Sequence, residues 1–251
     1  MKFKKIADFL LDACLPPCCV LCGETHKLLE FTSSGNNLLC TACRADFFLQ
    51  PSKRCARCAL PLPSNEAAKI CGDCLQQAPY FDATCAVCDY VPPFDELIVQ
   101  FKFHRQLHLA ALFAASLRDR AIEQADVLPD LLCPVPLGRL RLCERGYNQS
   151  LEITRHLSKF LGIPCQPELL VRIKETLPQS SLPQEARHHN LRDAFTTHPE
   201  WQHTIEGRHI GVIDDVMTTG TTLNETAVCL KHYGAKKVSN FVFARTPRNK
   251  L

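Results

Sequence analysis

The residues from His209 to Leu223, HIGVIDDVMTTGTTL, hold the densest chemistry in the chain. An apolar run ends in two adjacent carboxylates, Asp214 and Asp215. After Val216 and Met217 comes a turn of small and hydroxylic residues: Thr218, Thr219, Gly220, Thr221 and Thr222. Small residues let backbone N–H groups come close to an anion. A helix opening there adds the positive end of its dipole, and threonine hydroxyls supply further donors. The turn reads as a phosphate cradle, and the carboxylates before it can accept hydrogen bonds from ribose hydroxyls. The plainer reading is an acidic helix cap with a Thr-rich turn that serves only its own helix.

A second cluster lies upstream. Pro134, Val135, Pro136 and Leu137 precede Arg139, Arg141 and Arg145, with Gly146, Tyr147, Asn148 and Gln149 directly behind. Three arginines in a loop after a strand suit a diphosphate, because guanidinium forks match phosphate oxygens. Taken alone they read as a solvated basic loop; beside the phosphate cradle the diphosphate reading prevails. A third cluster holds Arg172, Lys174, Thr176 and Gln179, then Leu182, Arg187, Asn190, Ala194 and Phe195.

Sixteen cysteines stand out, and twelve of them precede Cys133. Most fall in Cys-x-x-Cys pairs: Cys19/Cys22, Cys40/Cys43, Cys55/Cys58, Cys71/Cys74 and Cys85/Cys88. Two intervening residues put both sulfurs on one tight turn, as a tetrahedral metal requires. The first two pairs form one set and the next two another, separated by 17 and 12 residues, which suits two knuckles closing on one ion. All eight ligands are cysteines, so no position is left open for water and the zinc is structural. Cys85/Cys88 and Cys14/Cys18 are left over. Cys85 and Cys88 either replace another pair at a metal or are small buried residues at a strand start, the plainer reading. Thiolates on metal imply a reducing compartment, here the cytoplasm.

These clusters need elements to position them. The 251 residues allow one large domain or a small and a medium one, and 46% hydrophobic content suffices for a core. Composition shifts near residue 90, giving an expected cysteine-rich region over 1–90 and an α/β domain over 91–251. Nine bases balance nine acids in 1–90, so the net charge of +3 belongs to the later part and is too small to argue for nucleic acid. Phe3, Ile6, Phe9, Leu10 and Ala13 predict an amphipathic N-terminal helix. Asp8 and Asp12 interrupt its apolar run, which argues against a secretory signal. No run approaches the ~18 apolar residues of a membrane span. Further on, periodicity predicts helices over 94–118, 149–161 and 222–233 and strands over 127–135, 169–173, 210–213 and 238–244, with a long polar loop over 174–192. Strands alternating with helices imply a parallel sheet with covered faces.

The segment 212–222 resembles the phosphoribosyl diphosphate motif of type I phosphoribosyltransferases over its whole length, which weighs against the simple helix cap. That resemblance implies that Asp214 and Asp215 hold ribose hydroxyls and that Thr218, Thr219, Gly220, Thr221 and Thr222 hold the 5-phosphate, with Val216 and Met217, the variable pair between them, also among the ligand-binding residues. It also implies a mobile loop closing over the substrate near 174–192, with Lys174 as a cation near the diphosphate. The ordered combination is more specific: paired zinc knuckles, Pro-Val-Pro, Arg-Gly-Tyr-Asn-Gln, Arg-x-Lys-x-Thr-x-x-Gln and the acidic–threonine motif. It is similar to the competence protein F (ComF) family, double zinc ribbon proteins with a phosphoribosyltransferase-like domain. The similarity runs from Cys19 to Thr222.

Two functions follow from that resemblance. One is a transferase: phosphoribosyl diphosphate bound with magnesium, its leaving diphosphate neutralised by arginines, and the ribosyl group passed to a nitrogen nucleophile. Asp214, Asp215, Lys174 and Arg145 would be catalytic, with Arg139 and Arg141 as ligand-binding partners. No base-binding hood is legible, so the acceptor is unnamed. The other is an adaptor that senses a ribose phosphate while its zinc ribbons contact single-stranded DNA or proteins such as a competence helicase. Phe101, Phe103, His104 and Arg105 could stack on and pair with a single strand, although their spacing favours a core. Either way the resemblance implies natural transformation, in the uptake or processing of single-stranded DNA.

Overall fold

The computed structural model describes residues 18–25, 38–48, 53–63, 68–124, 128–174 and 194–248. The helix expected at the N-terminus, Cys14, and all of the 174–192 loop beyond Lys174 lie outside the described residues. The chain forms two compact units, 1–51 and 52–251. Compactness thus divides it earlier than composition does; residue 90 marks where the cysteine pairs end.

In the first unit a tight turn with Gly23 at φ 72° follows Cys22, and helix α1 (Thr41–Phe48) begins directly after Cys40. Cys19, Cys40 and Cys43 are buried against Leu21 and Leu39. So small a cluster gives little apolar burial, and a bound ion must supply much of its stability.

The second unit contains α2 (Gly72–Gln76), β1 (Ala83–Asp89), α3 (Phe94–Phe103), α4 (Leu109–Gln124), β2 (Leu131–Pro134), α5 (Arg139–Arg145), α6 (Gln149–Leu161), β3 (Leu170–Arg172), β4 (Phe195–Thr197), β5 (His209–Met217), α7 (Thr221–His232) and β6 (Lys237–Arg245). Four strands form a parallel sheet in the order β1-β6-β5-β2. β3 and β4 pair antiparallel as a separate two-stranded ribbon.

Period-two alternation sends β5 and β6 side chains to both faces of the sheet. Ile210, Val212, Val238 and Val242 join one buried cluster with Leu223, Ala227 and Leu230 of α7. On the other face Phe243 stacks on Phe113 of α4 at 3.8 Å and meets Phe94 of α3 edge-on at 5.9 Å. Covered faces are what a parallel sheet requires. Among the described residues no helix is long and apolar enough to cross a membrane.

Two expectations change. The helix expected over 94–118 is two helices, parted after Phe103 where Arg105 takes φ 55°. The arginine loop is helix α5, which buries none of its residues and ends at Gly146 with φ 80°. The helices expected over 149–161 and 222–233 and the strands expected over 127–135, 169–173, 210–213 and 238–244 correspond to α6, α7, β2, β3, β5 and β6, with β5 running on through Met217 and carrying both aspartates inside the strand. β4, α1 and α2 were not expected, and β1 only as a strand start at Cys85 and Cys88.

Candidate functional site

The carboxyl ends of β5 and β2 open into one cavity of about 240 Å³. Open α/β sheets bind ligands at such strand ends. Asp214 to Leu223 form one wall of the cavity; Val135 to Leu137, Arg141, Arg145, Gln149 and Ser150 form another. Tyr90, Lys102 and Arg172 complete the lining.

Asp214 Oδ1 accepts hydrogen bonds from Ser150 Oγ and from the Asp215 backbone N–H, both at 2.9 Å. Burial, and then the adjacent Asp215 carboxylate, push the Asp214 carboxyl up to about 7. The Asp215 carboxylate has its own cation, Lys102 Nζ at 2.9 Å from Oδ1. In the turn, Thr219 and Thr221 hydroxyls share a hydrogen bond of 2.8 Å. Gly220 sits at φ 87°, where a Cβ would meet Met217 Cε at 2.5 Å. The backbone there needs glycine twice over, for conformation and for space. Helix α7 starts at Thr221, so its free N–H groups lie at the cavity edge.

The Arg-Gly-Tyr-Asn-Gln string has a local explanation. Gly146 ends α5 in the left-handed region. Asn148 caps α6 by accepting from Ser150 N at 3.0 Å and Leu151 N at 3.4 Å, while its Nδ2 donates to Val135 O at 3.0 Å. One side chain thereby ties the loop after β2 to the helix that presents Ser150. Tyr147 donates to the Phe101 carbonyl. Gln149 is buried, its Oε1 accepts from Arg145 Nη1 at 3.0 Å, and its Nε2 has no partner among the described residues.

Of the residues expected at the site, Asp214, Asp215, Val216, Met217, Thr218, Thr219, Gly220, Thr221, Thr222, Arg141 and Arg145 line this one cavity. Arg139 and Lys174 do not; the Lys174 carbonyl accepts from Arg172 Nε at 3.2 Å, and Arg172 is the cavity residue of that motif. Lys102, Ser150 and Tyr90 were not anticipated. Ser150 directly follows the Arg-Gly-Tyr-Asn-Gln string, a signal that could have found it; Lys102 and Tyr90 carry none. Of the aromatics considered for stacking, Phe101 is fully buried, whereas Phe103 is 62% exposed with the Arg145 guanidinium 5.1 Å above its ring.

Cys19, Cys22, Cys40 and Cys43 form one cluster, and Cys55, Cys58, Cys71 and Cys74 another, with the sulfurs in each within 4.8 Å of one another. Sulfurs about 2.3 Å from a tetrahedral zinc lie about 3.8 Å apart. Cys22 and Cys40 sulfurs are 3.9 Å apart and Cys58 and Cys71 sulfurs 3.5 Å, so both clusters fit that ion. Backbone N–H groups of Cys43 and Cys71 donate to Cys40 and Cys55 sulfurs, each at 3.3 Å, which favours thiolates. Cys85 and Cys88 instead lie in β1. Burial pushes Cys85 up to about 12, and Cys88 donates to the Phe243 carbonyl, so both stay thiols.

Comparison with known proteins gives the following. The Double zinc ribbon domain family matches residues 10–75. Competence protein F of Haemophilus influenzae is 31% identical over 83% of this chain and 97% of its own. DNA utilization protein YhgH of Salmonella typhi is 32% identical over 92% and 98%. Competence protein ComFC of Bacillus subtilis is 25% identical over 91% and 95%. Among solved structures, a glutamine phosphoribosylpyrophosphate amidotransferase from B. subtilis aligns with TM-score 0.38 and 15% identity over 64% of this chain and 32% of its own. A purine phosphoribosyltransferase from Pyrococcus horikoshii aligns with TM-score 0.32 and 18% identity over 54% and 80%.

Proposed function

Because this chain belongs to the competence protein F family, we propose that its cavity binds phosphoribosyl diphosphate, or a related ribose phosphate, and that the protein serves the uptake or processing of transforming single-stranded DNA. The observation that carries the ligand is the shared cavity: an acidic pair and a threonine–glycine turn at the end of β5 face Arg141 and Arg145 across it. Asp214 and Asp215 accept from the ribose hydroxyls. The turn from Thr218 to Thr222 and the first N–H groups of α7 hold the 5-phosphate. Arg141, Arg145 and Arg172 take the diphosphate. Among the described residues the lining contains carboxylates and hydroxyls but no cysteine or histidine, a donor set suited to a hard cation such as magnesium arriving with the diphosphate. In transfer, these cations neutralise charge on the leaving group, and the aspartates orient the ribose.

A second reading, a non-catalytic adaptor, gains from one feature. Exposed Phe103 beneath Arg145 at the α3 end offers a stacking face and a phosphate contact together, as single-strand binders use. The cytoplasm is the compartment in which the cysteine clusters keep their thiolates.

Calorimetric titration of phosphoribosyl diphosphate with magnesium into zinc-loaded protein tests the ligand. Binding that Asp214→Asn/Asp215→Asn loses supports the site, and a nucleobase screen then separates transferase from sensor. Absence of binding by folded wild-type protein removes the ligand reading and leaves the adaptor. Salt-dependent affinity for single-stranded DNA that Phe103→Ala weakens supports the second.

A further inference from the structure

Arg245 ends β6 and is 3% exposed. A guanidinium cannot shed its charge by deprotonation, so burying one demands compensation. Among the described residues its hydrogen bonds go to carbonyl groups. Nη1 donates to Met217 O at 3.0 Å, to Thr246 O at 2.9 Å and to Thr218 O, while Nε donates to Cys58 O at 2.9 Å. One side chain therefore reaches both the turn below the cavity and a knuckle of the second cysteine cluster.

Each end of that bridge has a consequence. In a trans peptide the C=O and the N–H of one unit point opposite ways. Holding the Met217 and Thr218 carbonyls toward Arg245 turns the N–H groups of Thr218 and Thr219 away from it, and both residues line the cavity. At the other end, four thiolates on one divalent ion leave the cluster net negative. Cys58 gives this bridge its carbonyl and the cluster one of its sulfurs, so the knuckle and the turn are joined through a single guanidinium. Without zinc the knuckle is no longer closed on an ion, and the Cys58 carbonyl that anchors Arg245 Nε loses its fixed place.

We propose that Arg245 is a positioning residue through which zinc in the Cys55/Cys58/Cys71/Cys74 cluster holds the phosphate turn in its anion-binding form, so that zinc occupancy and anion affinity rise and fall together. The proposal rests on the reading of that turn as a phosphate site. The second cluster is then a metal-dependent control of the cavity as well as a structural staple.

Coupling between two binding sites is reciprocal. In wild-type full-length protein, zinc affinity is measured in nitrilotriacetate-buffered zinc with and without saturating ribose 5-phosphate. Ribose 5-phosphate affinity is measured calorimetrically at high and low zinc occupancy. The expected result is that each ligand tightens the other by one common factor, about 5- to 150-fold for typical couplings. Arg245→Met leaves all the cysteines in place and is expected to hold zinc but lose the coupling, with ribose 5-phosphate about tenfold weaker or worse; Arg245→Lys falls between. Wild-type protein that binds both ligands independently overturns the inference, as does an Arg245→Met variant that keeps the coupling. Wild-type protein that binds no ribose 5-phosphate overturns the phosphate reading instead. The link is then read from the amide NMR signals of Thr218 and Thr219, which must shift when the second ion is withdrawn; if they stay in place the inference fails.

Discussion

Lys102 Nζ lies 2.9 Å from Asp215 Oδ1, so a lysine in the last turn of α3 caps the acidic pair presented by β5. Two neighbouring carboxylates repel each other and repel an anionic ligand; Lys102 offsets both effects, and it also works to lower the raised pKa of Asp214. Lys102→Met is expected to weaken ribose 5-phosphate by about 10- to 100-fold, the scale of a charged hydrogen bond at roughly 1.5–3 kcal/mol. Calorimetry at two salt concentrations checks this. A tighter-binding variant would mean that Lys102 competes with the ribose for the carboxylate.

The proton on Asp214 makes two effects depend on pH. The folded carboxyl titrates at about 7 against an ordinary 3.8, because of burial and then the Asp215 charge. A raised folded value means that the stability this group contributes is fully present below about pH 4 and is lost as pH rises through 7. Asp214→Asn should therefore gain melting temperature relative to wild type more at pH 8 than at pH 5. Ribose hydroxyls donating to the carboxylate favour its ionised form, so wild-type affinity should rise between pH 6 and 8 with proton release. Paired titrations in buffers of different ionisation enthalpy count that proton, and the Asn variant should show none of it.

Asn148 joins the loop after β2 to the start of α6. Asn148→Ala removes a helix cap, costing about 1 kcal/mol, and frees the Val135 carbonyl as well. The melting temperature is expected to fall by about 2–4 °C, the response of a chain this size to such a loss. Ribose 5-phosphate affinity should fall with it, because Val135 and Ser150 both line the cavity. A melting scan and a titration on the same sample separate the two effects.

What was legible from sequence was what is contiguous. The acidic pair and threonine turn occupy one strand and one turn, and the eight zinc-binding cysteines announce themselves by repeated spacing. Lys102, Ser150 and Arg245 come from three separate elements; Ser150 stands beside a recognisable string, but Lys102 and Arg245 look ordinary where they stand, and only folding brings all three to the end of β5 and its turn. Arg245 in particular follows an apolar run and reads as a charge leaving the core, whereas it stays buried among carbonyls. The break between α3 and α4 was hidden because Phe101 and Leu109, eight positions apart, keep a helical period across the turn at Arg105. Helix α5 has no buried side, with Leu140 65% exposed, so periodicity had nothing to detect.

Gly220 separates conformational cost from steric cost at the phosphate turn. Its φ of 87° disfavours any side chain, and a Cβ would stand 2.5 Å from Met217 Cε. The left-handed conformation costs an alanine about 1–2 kcal/mol. The steric part is relieved if Met217, the far end of a flexible side chain, gives way. Gly220→Ala is thus expected to destabilise the protein and to weaken ribose 5-phosphate at least tenfold. Adding Met217→Ala should remove the clash without changing φ, at the expense of a buried side chain. Affinity should then recover in part while stability does not, since the turn can close again but the backbone preference and the lost packing remain. Full recovery of both in the double variant would show that the clash alone mattered. No recovery of affinity would place the requirement for glycine in the backbone conformation that aims the turn's N–H groups at the anion.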